Sequence, residues 1–238
     1  MGVRGNSGFL DVDKRFGDGT ISGNTKGTIS VDQQFLERTH GRMAPIITGT
    51  VTGSTQIGFG TTDSENSPIR GFYDFSWSGL IYTQPEIGTM KTITGIGFDV
   101  SSFTTRQGQD FNDIRVFCGH YTSDTFATTS PNEDISAYVG ISNWTQCTNN
   151  GYVWFPNTLG VNVSERIIFD TPFVYNGIDR LMIKLESREG DYLAQPRVVW
   201  DSATDTASVA YDRQDNTYPT GTGIRTTIKP NIVIYYEE

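Results

Sequence analysis

The chain has 238 residues and carries 18 Lys and Arg against 27 Asp and Glu, for a net charge of −9 and a pI near 4.7. Thr (31) and Ile (21) far outnumber Leu (7) and Ala (7), so β-branched residues that suit a pleated surface dominate and a mainly helical fold is excluded. The acidic balance excludes a nonspecific nucleic-acid binder, and no apolar run approaches the roughly 18 residues of a membrane-spanning helix.

Residues 1–46 differ from the rest, with eight Gly, eleven charges and only three aromatics, Phe9, Phe16 and Phe35. Such a segment cannot build a core of its own. It reads as an extended assembly arm with at most one short helix, capped by Ser30 and Gln33, running through Arg38 and ending at Gly41. Met1–Leu10 has no apolar stretch of the kind a secretory signal needs, so the expectation is manufacture in a host cytoplasm.

From residue 47 to 238 short apolar–polar alternations recur between turn clusters. Strands are expected at Ile47–Val51, Thr55–Gly58, Gly71–Trp77, Ser78–Thr83, Thr92–Ser101, Asp113–Tyr121, Tyr152–Val161, Arg166–Phe169, Arg180–Ser187, Arg197–Ser202, Ser208–Asp212 and Ile228–Tyr236. Residues 122–150, rich in Thr, Ser and Asn, read as a long loop with one strand near Ala137–Ile141. Period-two patterning implies strands with one wet and one packed face. The fold class is therefore all-β: an antiparallel, jelly-roll-like β-sandwich behind an N-terminal arm. In Phe72–Trp77, the face carrying Tyr73, Phe75 and Trp77 is the one expected to be buried.

Several spaced pieces fall in a familiar order. They are Ile57-Gly58-Phe59-Gly60-Thr61-Thr62, then Leu80-Ile81-Tyr82-Thr83-Gln84-Pro85-Glu86-Ile87-Gly88, then Ile114-Arg115-Val116-Phe117-Cys118-Gly119-His120-Tyr121. Phe169-Asp170-Thr171-Pro172-Phe173-Val174-Tyr175-Asn176-Gly177 and Lys229-Pro230-Asn231-Ile232 follow. Over about residues 55–236 this resembles a β-sandwich module of phage virion proteins and bacterial surface adhesins. The resemblance implies a sandwich used for adhesion or assembly, with no known active site.

The residues offer little for catalysis. His40 and His120 are the two histidines, so general bases are scarce, and no enzyme activity is expected. Cys118 and His120 would share a strand face, but a zinc site needs about four ligands, and neither metal nor cofactor is expected. Asp11–Gly19 departs from a calcium loop at Arg15 and Phe16. Cys118 and Cys147 are read as either free thiols or a single disulfide. Trp144 and Trp154, near the acidic residues Asp110, Asp113, Glu133 and Asp134, could stack on sugar, and Tyr211, Tyr218, Tyr235 and Tyr236 are candidates for an exposed or subunit-facing surface.

The expected function is that of a structural virion protein of a tailed bacteriophage: a capsid decoration, head-fibre or tail component. Phe9, Phe16 and Phe35 would order the arm against a partner, with copies of the chain (a ring or trimer) and other virion proteins as partners. The alternative is a carbohydrate-binding adhesion module that recognises a host surface glycan.

Overall fold

A computed structural model describes residues 53–65, 68–103, 109–126, 142–155, 163–191, 193, 195–201, 208–220 and 223–237. The expected arm with Phe9, Phe16 and Phe35, the Ser30-capped helix and the strands at Ile47–Val51 and Ala137–Ile141 lie outside the described residues. In chain order the elements are β1 (Gly53–Ile57), β2 (Thr62–Ser64), β3 (Phe75–Tyr82), α1 (Gln84–Ile87), β4 (Lys91–Phe103), β5 (Gln109–Tyr121) and β6 (Ser142–Phe155). They continue with β7 (Val163–Tyr175), β8 (Arg180–Ser187), β9 (Pro196–Asp201), β10 (Val209–Gln214), β11 (Ile224–Thr226), β12 (Lys229–Pro230) and β13 (Ile232–Glu237).

These strands make two antiparallel sheets packed as a sandwich. One sheet runs β11-β10-β3-β8-β5-β6. In the other, β4 is central: β7 pairs along one edge, while β13 and then β9 share the opposite edge. The break between β12 and β13 falls at Asn231, so one stretch of chain serves β9 first and β4 next. Alternate residues of each long strand supply the core. Ile93, Ile96 and Phe98 of β4 meet Ile114, Val116 and Cys118 of β5 and Leu181, Ile183 and Leu185 of β8 there.

The six-stranded sheet departs from the expected wet face. A second buried cluster, Trp77, Ile81, Tyr121, Phe126, Met182 and Ala210, is separate from the core between the sheets. Register sets these side chains on the opposite face, because Met182 lies between the core residues Leu181 and Ile183 and pairs with Ile81. All of β8 after Arg180 is buried, including Lys184 and Glu186. Trp77 is buried as expected, but under this outer layer, while Ser76 and Ser78 on the inner face are buried too. Gly79 makes room for the layer: a Cβ there would lie 2.9 Å from the ring of Phe126.

The strands expected at Gly71–Trp77 and Ser78–Thr83 are one strand, β3, whose two faces are both covered. The helix among the described residues is α1, inside the sandwich. Thr83 caps it, with Glu86 closing the capping box and Pro85 in the first turn.

Candidate functional site

A concave feature lies where β1 runs out beside α1 and β12. Gln56, Ile57, Gly58, Phe59, Glu86, Asp201, Lys229 and Pro230 line a cleft of about 200 Å³. The chain reaches it through a tight turn. Gly58 takes φ +81°, a left-handed conformation that favours glycine. At Gly60 the backbone lies against the Trp200 carbonyl so closely that any Cβ would collide with it. Asn231 holds the turn, its Nδ2 donating to Gly60 O at 3.0 Å, and its own amide donates to Val199 O at 2.9 Å. Phe59, between the two glycines, is thereby left 80% exposed.

The floor of the cleft is an ion pair. Lys229 of β12, itself buried, meets Glu86 Oε1. The other carboxylate oxygen of Glu86 accepts from Thr83 N at 2.6 Å and Thr83 Oγ1 at 2.9 Å. Both oxygens are therefore engaged in holding α1 and Lys229. Behind them, Tyr82 OH donates to Pro230 O at 3.0 Å, and burial, with the charge of Glu86, pushes its phenol well above the ordinary range. Burial likewise raises the Asp99 carboxyl against the pull of hydrogen bonds from Gln56 and Asn231. A solvent-facing aromatic ring beside the Gln56 amide and the Asp201 carboxylate is the chemistry of stacking plus hydrogen bonding.

A second surface lies at the β4–β7 end. Met90 (68% exposed) precedes β4, and Val174 (61%) and Ile178 (75%) flank the end of β7. The turn that presents Ile178 is tightly tied. Asn176 Oδ1 accepts from Ile178 N at 2.9 Å and Asp179 N at 3.0 Å, and Asn176 Nδ2 donates to Asp179 at 2.7 Å. His120 Nε2 accepts from Asn176 N at 3.1 Å, its ring 5.0 Å from Phe173 and 6.0 Å from Tyr175. Ile178 is thus held in solvent by a hydrogen-bonded turn, while Val174 is exposed on β7 and Met90 just before β4.

The residues singled out in the sequence are dispersed. Trp144 and Tyr218 are partly buried on the outer cluster, with the Arg188 guanidinium 3.6 Å from the Tyr218 ring centroid. Trp154 pairs with Asp110 in the β5–β6 ladder; its side chain, Glu133 and Asp134 lie outside the described residues. Tyr211 corrects an expectation: it is only 6% exposed. Its strand, β10, is flanked by β3 and β11, and Tyr211 sits opposite the buried Ser78, so it faces inward. Tyr235 and Tyr236 are half-buried under Arg166 (4.5 Å) and Lys91 (4.1 Å). Cys118 and His120 are on the same strand, yet no group of three or more metal-ligating side chains occurs among the described residues. Sequence reasoning missed Phe59, Glu86, Lys229, Met90, Val174 and Ile178 as surface or site residues. The Thr83–Glu86 capping box and the Gly-Phe-Gly turn were the signals available for the cleft.

No protein-family model, curated protein or solved structure matches this chain.

Proposed function

We propose that this chain is a structural virion protein of a tailed bacteriophage, a capsid decoration, head-fibre or tail component, acting by protein–protein assembly. The observation that carries the reading is the exposed apolar set Met90, Val174 and Ile178 at the β4–β7 end, with Ile178 fixed there by a hydrogen-bonded turn. Apolar side chains fixed in solvent at one end of a domain are characteristic of a contact surface. The resemblance over residues 55–236 supports the setting, and the partners are copies of the chain, in a ring or trimer, and other virion proteins. The test is the molar mass of the full chain by light scattering, beside Val174→Asp and Ile178→Asp. A defined oligomer that the two substitutions dissociate supports the reading. A monomer whose incorporation into particles is unchanged by both rejects it.

A second reading rests on the cleft: a carbohydrate-binding adhesion module, with Phe59 as the stacking platform and Gln56 and Asp201 as hydrogen-bonding partners for hydroxyls. A glycan array probed with the native chain and with Phe59→Ala tests it. Signals lost in the variant support adhesion, and an array with no signal rejects it.

A further inference from the structure

Cys118 and Cys147 are both fully buried and both free thiols. They stand on neighbouring strands. In the β5–β6 ladder Cys118 pairs with Thr145, Phe117 with Gln146 and Val116 with Thr148. Cys147 is therefore an extra residue in β6, a bulge that turns its side chain into the core beside Cys118. The Cys147 thiol lies 3.5 Å from Thr145 O, in the same buried cluster as the Cys118 thiol. Two buried thiols that enter the same core from adjacent antiparallel strands are the pair among the described residues from which a disulfide could close.

Access comes from the strand that carries Cys147. β6 is the last strand of its sheet, and its ladder with β5 shifts register at four places. Irregular pairing at a sheet edge marks the element that opens locally at least cost. We propose that Cys118 and Cys147 form a dormant disulfide site, reduced in a reducing compartment and closed when the folded protein meets a small-molecule disulfide.

The chemistry balances in two exchange steps. When β6 opens, the Cys147 thiol loses its proton and its thiolate attacks one sulfur of oxidised glutathione, releasing one glutathione thiolate. The Cys118 thiolate then attacks the Cys147 sulfur of the mixed disulfide and releases the second glutathione. Two protein thiols become one disulfide, and one glutathione disulfide becomes two glutathione thiols. The bond staples an edge strand to its neighbour and closes a loop of about 30 residues.

The experiment uses the full chain, purified with reductant and divided, one half then equilibrated with oxidised glutathione. Both are denatured in N-ethylmaleimide and weighed intact. The reduced half is expected to take two labels. The oxidised half should take none, lose about 2 Da and yield a Cys118–Cys147 linked peptide. Its Tm should rise by roughly 6–12 °C and return on reduction, a gain that Cys147→Ala and Cys118→Ala both abolish. Two labels persisting even in sub-denaturing urea, glutathione retained on the protein, a link between copies, or an internal bond with no gain in Tm would each overturn the proposal. Should either variant fail to fold, the peptide map and reversible Tm shift of the native chain still decide it.

Discussion

Protonating His120 would break a bond that its ring accepts. Its Nε2 takes the Asn176 amide hydrogen, so the folded protein needs that nitrogen neutral. Burial holds the imidazole below its ordinary 6.5, and the more modest pull of Asp179 does not offset this. The unfolded chain therefore binds a proton first, and stability falls as pH drops from about 6.5 through the folded value. Thermal melts between about pH 7 and about pH 5 should show the native chain losing more Tm than His120→Gln. Equal slopes would mean that this histidine does not report on folding. At the cleft, Gly60 has backbone where a side chain would need space. Gly60→Ala should cost roughly 2–3 kcal/mol, read as a lower urea midpoint with an unchanged slope.

Strand β8 carries an ionic group inside the outer layer of its sheet. Glu186 is buried, meeting Lys184 at 2.6 Å and Arg188 at 2.7 Å. Burial alone would raise its carboxyl, but the two cations overcome this and hold it below the ordinary 4.5. Glu186→Gln leaves a buried ammonium without its counter-charge and should cost about 3–5 kcal/mol in urea unfolding. A loss under about 1 kcal/mol would place the pair in effective contact with water. The same strand shows what could be read in advance. Arg180–Ser187 was legible to the residue, because its inward Leu181, Ile183 and Leu185 alternate with polar or flexible partners. Phe75–Tyr82 reads as two strands, since its alternation stops at Gly79 and Leu80-Ile81-Tyr82 runs on with no polar partner. Ser142–Asn150 reads as loop because its bulges break the period of two and its residues are mostly Thr, Asn and Gln. The three-residue strands β2 and β11 bury almost nothing and left no pattern.

For the whole molecule, Ser54–Glu238 forms a compact unit of its own. Removing residues 1–46 should therefore leave far-ultraviolet dichroism and Tm nearly unchanged while lowering the molar mass of any assembly. A truncated chain that no longer melts cooperatively would contradict this. The architecture was legible in composition and alternation, whereas the surfaces were not. Phe59 and Ile178 are exposed because turns hold them out, and the turn residues beside them, not apolar periodicity, are what separates them from core residues such as Phe98 or Ile183. Tyr211 errs the other way, an aromatic that a flanking strand turns inward. The end strand β7 has one further consequence. Between Phe173, paired with Ile93, and Ile168, paired with Gly95, the β7 chain carries surplus residues, and Asp170, Thr171 and Pro172 stand exposed. Pro172 has no amide hydrogen to offer. A foreign strand laid along that edge would lose its hydrogen-bonding template midway, so neither fibril growth nor strand exchange can propagate there.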